Sequence, residues 1–179
     1  MQTPALKDAI SRILMPFHAN HLIENDGNCM EIADDVVRGV DEKWREQVSD
    51  LVPQNFCLEG EFGYPLDLEL LKKYWDTWTF PFSEEDMLRV GWGEISHVFV
   101  EAEKYCYDAE SPDGVSNFFE MPFIRRAAYS DLIEKGLVVE FTQKYPEYMA
   151  RAAADYQLLV DFYESPKKVT SSISGPSPL

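Results

Sequence analysis

Residues 97–108, "HVFVEAEKYCYD", restrict the fold of this chain more than any other stretch. Two runs rich in β-branched and aromatic residues lie on either side of a short centre at 102–104. Such runs are typical of β-strands, whose side chains alternate between the two faces of a sheet, and two of them around a short centre predict a β-hairpin. We therefore expect antiparallel sheet in the fold.

The position of the turn decides which side chains of this hairpin meet. A turn centred on Ala102 and Glu103 places His97 directly opposite Asp108, with Cβ atoms about 4.5–5.5 Å apart. A turn centred on Glu103 and Lys104 makes Asp108 a diagonal neighbour on the same face, because side chains alternate between faces. A loop of odd length moves Asp108 to the other face unless a bulge restores it. No Asn-Gly pair fixes the register.

Apolar residues at intervals of three and four predict helices in much of the remaining chain. Asn28 and Ser83 are typical N-cap residues, and Pro16 is expected to end the first helix. The spacing predicts helices over 4–15, 29–40, 41–52, 66–78, 83–90 and 146–165, and a strand over 55–62. The apolar positions of the second helix are Met30, Ala33, Val36, Val37 and Val40.

These elements predict an α+β fold with helices packed on a small antiparallel sheet. The chain has 179 residues, 45% of them hydrophobic, which is enough to bury a core in one domain. We expect that domain to span residues 1–164. The Ser- and Pro-rich residues 165–179 are expected to form a disordered tail. Three scattered cysteines do not make a disulfide framework, which favours a reducing compartment.

The charge of the chain is strongly acidic. Sixteen basic and 32 acidic residues give a formal net charge of −16. Nucleic-acid binding needs a basic footprint, so we expect no nucleic-acid partner. The acidic surface, or the tail, offers a site for a protein partner. Mimicry of DNA charge is an alternative, but the acids are spread along the chain, and solubility explains them more simply.

No apolar run is long enough to span a membrane, and the N-terminus does not resemble a signal peptide. We therefore expect a cytoplasmic protein without membrane contact, in the host cytoplasm if a phage encodes it.

An Asp beside a His suggests acid–base chemistry. The carboxylate orients the imidazole, fixes its tautomer and stabilises its protonated form. Such a pair needs a nucleophile, and Cys29 is the best candidate, because it opens a predicted helix after a Gly-containing turn and helix N-termini lower a thiol pKa. The backbone N–H of Cys29 is suited to an oxyanion hole, with Asn28 or Asn20 as the second donor.

The pieces "NDGNCMEIADDV", "SHVFVEAE" and "KYCYDAESPDGV" resemble the papain-like and transglutaminase-like cysteine hydrolase superfamily in residue order and in the short gap between His and Asp. This resemblance implies a hydrolase of that fold in which Cys29 is the nucleophile, His97 the base and Asp108 the orienting acid. "DGNC" is also similar to the start of ovarian-tumour-type deubiquitinases, although the Phe/Tyr-Arg usual after that cysteine is absent.

Each of these residues also has a structural interpretation. Asp108 could instead cap the turn around 112–114, and Glu110 has the strand parity to replace it as the acid. Trp92, shortly before His97, is a candidate wall of a substrate cleft. Cys57 and Cys106 are expected in the core. His18 and His21, joined by Cys29 and His97, would make a weak zinc pattern, so we expect no metal and no other cofactor.

The sequence leaves two functional hypotheses. The first is a cysteine-dependent hydrolase or acyl transferase that acts on a peptide, isopeptide or amide bond of a peptide or protein substrate. The second is a non-catalytic acidic interaction protein, such as an inhibitor or assembly component encoded by a phage or bacterium, on a hydrolase-like fold.

Overall fold

The computed structural model describes residues 5–22, 27–57, 66–74 and 78–165. In this part of the chain, helices pack on a three-stranded antiparallel sheet, as expected for an α+β fold. The helices and strands are, in chain order, α1 Leu6–His18, α2 Cys29–Gly39, β1 Val48–Leu51, α3 Leu68–Tyr74, α4 Glu84–Met87, β2 Phe99–Ala102, β3 Tyr105–Tyr107, α5 Pro122–Glu134, α6 Val138–Lys144 and α7 Pro146–Glu164.

The hairpin of β2 and β3 forms in the second of the two even-loop registers. Ala102 pairs with Tyr105, so the turn residues are Glu103 and Lys104. Both have positive φ, 52° and 66°, as a type I′ turn requires. The Lys104 N–H also donates to Glu101 Oε1 at 2.9 Å. A turn without glycine therefore sets the register that makes Asp108 a diagonal neighbour of His97.

The first strand of the sheet is one that the sequence pattern misses. Residues 41–52 were expected to be helical, but Glu42–Gln47 forms a 3₁₀ turn and Val48–Leu51 is β1. Val48 pairs with Ala102 and Leu51 with Phe99, so β2 is the central strand. Partners far along the chain satisfy the backbone groups of β1, and this pairing overrides the local spacing.

The sheet separates two hydrophobic cores. On one face, α1 and α2 pack against Val48, Val100 and Tyr107. On the other face, Phe99 and Cys106 join a larger aromatic core that includes residues of α5, α6 and α7. His97, two residues before the start of β2, therefore lies where the two cores meet, away from bulk water.

Gly114 holds the return of the chain after β3. It has a φ of 72°, and a Cβ at this position would clash with the ring of Tyr107. The glycine lets the loop close on the strand, where Cys106 and Val115 form an isolated antiparallel bridge. The loop between them, which carries Asp108, is thus fixed at both ends.

Most of the predicted helices are confirmed, with changed bounds. Helix α1 continues to His18 with Pro16 in its last turn, where a missing N–H costs only one late hydrogen bond. Ser83 caps α4 by accepting the Asp86 N–H at 3.3 Å. Helix α7 begins at Pro146 as expected. Of the helix predicted over 66–78, Leu68–Tyr74 is helical and residues 75–77 lie outside the described residues.

The strand predicted over 55–62 is wrong in its described part. Pro53–Phe56 is a 3₁₀ turn, and Cys57 forms only a single bridge with Leu66. Residues 58–65 and the predicted tail from 166 onward lie outside the described residues. Within the described part of the chain, no helix has the length and apolar character needed to cross a membrane.

Candidate active site

His97 lies two residues before β2, at the meeting point of the two cores. The residue is only 2% exposed. Its Nε2 atom is 3.1 Å from Oδ2 of Asp108, which is also buried. The diagonal pairing of the hairpin therefore brings together the two residues that the alternation placed on one face.

Asp108 is held in place by the loop that follows it. Its Oδ1 atom accepts the N–H of Ser111 at 2.7 Å, while the Asp108 carbonyl accepts the same N–H at 3.1 Å. One carboxylate oxygen thus serves the turn and the other serves His97. The predicted alternative, that Asp108 caps a turn, accounts for the Oδ1 contact but not for the contact of Oδ2 with His97.

Glu110, the alternative acid, bonds to a different residue. Its carboxylate receives two hydrogen bonds from the Arg126 guanidinium, at 3.0 and 2.7 Å, and both side chains are buried. This bidentate pair joins the loop after β3 to helix α5. Glu110 therefore anchors the loop to α5, and Asp108 is the acid that bonds to His97.

Cys29 is the first residue of α2 and faces the sheet. The buried positions of this helix are Ile32, Ala33 and Val36, which lie on the same face as position 29 because the helix repeats every 3.6 residues. Met30, expected on the buried face, is 64% exposed. Ala33, Val36 and Val40 are buried as predicted, and Ile32 is buried in place of Met30. The face that packs on the sheet therefore includes position 29 and brings Cys29 to His97.

The thiol of Cys29 interacts with the His97 ring. Nε2 of the ring bonds to Asp108, and Nδ1 is buried without a regular hydrogen-bond partner among the described residues, so we assign this contact to Nδ1. The hydrogen bond with His97 lowers the pKa of Cys29, against the opposing effect of its partial burial. The N–H groups of Val98 and Met30 lower the pKa further.

The pKa of His97 shifts in the opposite direction. Burial alone would lower it, but the hydrogen bonds and charges of Asp108 and Cys29 raise it above the usual value. A lowered thiol pKa and a raised imidazole pKa favour a thiolate–imidazolium pair. This pair exists above the pKa of Cys29 and below that of His97, so the window in which both groups are charged is widened on both sides.

The ring of Phe123, the second residue of α5, stacks on the imidazole of His97. The ring centroids are 3.9 Å apart and the planes are inclined by 15°. The guanidinium of Arg126 lies 5.2 Å from the centroid of Phe123, on the next turn of the same helix. Helix α5 therefore backs the site and restricts rotation of the imidazole.

Replacing Phe123 with alanine is expected to raise the pKa of His97. The change opens one face of the imidazole to water, which hydrates the charged form and removes part of the burial penalty. An NMR pH titration of the His97 ring protons measures the shift. Tyr129→Ala, which removes another half-buried ring of α5, is the control and should leave the titration unchanged. An unchanged or lowered pKa in Phe123→Ala would contradict this role.

Trp92 does not line a cleft. It is fully buried, its Nε1 donates to the Met87 carbonyl at 2.9 Å, and its ring packs against Phe82 and Phe119. The aromatic core covers the ring of Trp92, and the Met87 carbonyl accepts its N–H. The prediction of Trp92 as a substrate-binding residue is therefore wrong.

The two asparagines proposed as oxyanion donors are both exposed. Asn28 directly precedes α2 and makes no side-chain cap bond to it. Asn20 lies in the turn after α1, where its backbone N–H donates to Phe17. That Asn28 or Asn20 donates to an oxyanion stays a prediction.

Of the remaining histidines, His18 contacts the loop that carries Asp108, and His21 contacts only the backbone of His18 among the hydrogen bonds of the described residues. His18 Nδ1–H donates to the Ala109 carbonyl at 2.8 Å, and His21 Nδ1–H donates to the His18 carbonyl at 2.8 Å. Among the described residues, no group of three or more His, Cys, Asp and Glu side chains is arranged to hold a metal ion.

The other two cysteines differ sharply from Cys29. Cys106 is fully buried, and burial raises its pKa well above the usual value. Cys57 is half-buried at the edge of the larger core, and burial raises its pKa to about 11. Cys29 is therefore the cysteine of this chain whose pKa is lowered.

The sequence pattern did not identify Phe123 or Arg126, because no element was predicted over 116–145. Pro122 is a usual first residue of a helix, and an apolar spacing runs through Phe123, Ile124 and Ala128. These signals indicate the helix but not its contact with His97, which depends on tertiary packing.

Comparisons with protein-family models, with curated proteins and with solved structures find no match for this chain.

Proposed function

We propose that this protein is a cysteine-dependent hydrolase or acyl transferase that acts on a peptide, isopeptide or amide bond, with a fold of the papain-like or transglutaminase-like type. Cys29 is the nucleophile, His97 the general acid and base, and Asp108 the residue that orients His97. The observation that carries the proposal is the buried His97, which bonds to Asp108 through one ring nitrogen and interacts with the Cys29 thiol at the start of a helix.

The proposed reaction has two steps. The Cys29 thiolate attacks the substrate carbonyl, a carbon–sulfur bond forms, and the carbonyl π electrons move to oxygen. Collapse of this intermediate breaks the bond to the leaving amine, which takes a proton from the His97 imidazolium. Water or a second amine then attacks the thioester and gives its proton to His97, and the thiolate leaves. Helix-start N–H groups around Cys29 are suited to stabilise the oxyanion of each step.

Selective alkylation of Cys29 tests the proposal. We expect iodoacetamide at pH 6.5 to modify Cys29 at least about tenfold faster than Cys57, because each unit of pKa changes the thiolate fraction tenfold below the pKa. His97→Ala should slow alkylation of Cys29 about tenfold or more at this pH. The rates are measured for each cysteine by mass spectrometry of digested protein.

His21→Ala is the matched control, since it removes a half-buried imidazole that bonds to a backbone carbonyl. It should leave the rate at Cys29 unchanged. Full-rate alkylation of Cys29 in His97→Ala would refute the triad and favour the alternative, an acidic interaction protein without catalysis. The absence of turnover of activated esters and amides, with Cys29 still reactive, would also support that alternative.

A further inference from the structure

A cleft of about 410 Å³ lies between residues 91–96 and helices α5 and α7. This volume is in the range of sites that bind small ligands or substrate side chains. Its apolar wall consists of Ile95, Phe123, Ala127, Tyr156 and Leu159. The cleft is thus large and apolar enough to hold a long side chain.

The cleft is next to the candidate catalytic site. Ser96, which precedes His97, and Phe123, which stacks on the His97 ring at 3.9 Å, both line it. A ligand in the cleft that contacts the far side of Phe123 would be separated from His97 by one ring. The cleft is therefore too far from His97 to hold the reacting atoms of a substrate. It is close enough to hold a neighbouring residue of that substrate.

The net charge around the cleft is negative. Arg126 is paired with Glu110, and Asp131 accepts from Lys135 at 2.9 Å and from the Gly91 N–H at 3.1 Å. The carboxylates of the exposed Glu94 and Glu134 form no ion pair or hydrogen bond with the described residues. Two carboxylates that form no ion pair with the described residues therefore lie at the rim of the cleft.

We propose that this cleft binds a lysine or arginine side chain of the substrate, close in sequence to the bond that Cys29 attacks. The aliphatic stem would lie against Phe123, Tyr156 and Leu159, and the cation would reach Glu94 and Glu134. Lysine and arginine combine an apolar stem with a solvated charge, which matches an apolar wall with an acidic rim. The proposal rests on the proposed function, and it names the substrate class as basic peptides.

Binding without catalysis is the first test. The full chain carrying Cys29→Ala is titrated with Nα-acetyl-lysine methylamide and, separately, with its norleucine analogue, which has an apolar side chain without charge. NMR follows the amide signals of Ala127 and Ser130. We expect the lysine compound to bind about fivefold more tightly, as two exposed charge pairs allow, and 1 M NaCl to reduce the preference.

The double variant Glu94→Gln/Glu134→Gln should remove the preference for lysine. Glu42→Gln/Glu46→Gln changes the net charge equally on an exposed 3₁₀ turn outside the cleft, and it should keep the preference. A general attraction of cations to the acidic surface would weaken equally in both variants, and this result would overturn the proposal.

The second test uses a chain with intact Cys29. Peptidyl acyloxymethyl ketones with lysine or norleucine next to the reactive group should alkylate Cys29 with the same fivefold preference for lysine. If His97-dependent alkylation occurs without a lysine preference and neither compound binds the cleft, the cleft proposal fails and the proposed function stands. If lysine binds in Cys29→Ala but the reactivity of Cys29 does not depend on His97, the cleft is a binding site and the proposed function fails.

Discussion

Replacement of Arg126 with methionine is expected to lower the free energy of unfolding by about 3–5 kcal/mol. Arg126 and Glu110 form a bidentate ion pair whose side chains are 6% and 5% exposed. The substitution leaves the Glu110 carboxylate buried without its guanidinium. Because this pair joins the loop after β3 to α5, the loss should also loosen the contact between Asp108 and His97.

Denaturation in urea measures this effect. Arg38→Met is the matched control, because Arg38 pairs with Asp34 on the surface, with side-chain exposures of 78% and 47%, and such pairs contribute at most about 1 kcal/mol. Adding Glu110→Gln to Arg126→Met should recover part of the stability, since the buried charge is then removed. A loss below about 1 kcal/mol in Arg126→Met would contradict the importance of the pair.

Replacement of Asp108 with asparagine is expected to reduce turnover about 10²–10⁴-fold, although the two side chains have the same shape. The N–H of Ser111 needs an acceptor, so the amide oxygen of the substituted side chain would take the position of Oδ1. The amide NH₂ group would then point at His97 Nε2. This arrangement makes Nε2 the acceptor and moves the proton to Nδ1, the nitrogen that must accept from Cys29.

Two measurements check this prediction. Hydrolysis of an activated ester, corrected with Cys29→Ala, gives the loss of turnover. The pH dependence of Cys29 alkylation reports the pKa of the Cys29 thiol. This pKa should rise, because Asp108 no longer stabilises the imidazolium that pairs with the thiolate. Asp113→Asn is the control on the same loop, where Asp113 only accepts from Ser11 on the surface. Turnover within about twofold of the unchanged protein would exclude the orienting role of Asp108.

The candidate site could be predicted from sequence to the extent that it depends on local patterns. The hairpin and the start of a helix at residue 29 follow from local patterns, and both are found. The failures have a common origin. The strand β1 was predicted as helix because its partners lie about 50 residues away, and Trp92 was placed in a cleft because no local signal distinguishes a core tryptophan from a surface one.

The sequence by itself predicted a hairpin that brings His97 and Asp108 to one face in either of the two even-loop registers, because side chains alternate in any strand. It also determined that Cys29 would begin a helix, because a turn precedes an apolar spacing of three and four. Only the tertiary structure decided the rest. The turn at Glu103 and Lys104, both with positive φ, fixed the diagonal register, and packing of α2 on the sheet brought Cys29 to His97. Packing of α5 paired Arg126 with Glu110 and stacked Phe123 on the imidazole. Such contacts between distant segments are set by burial and shape rather than by local pattern.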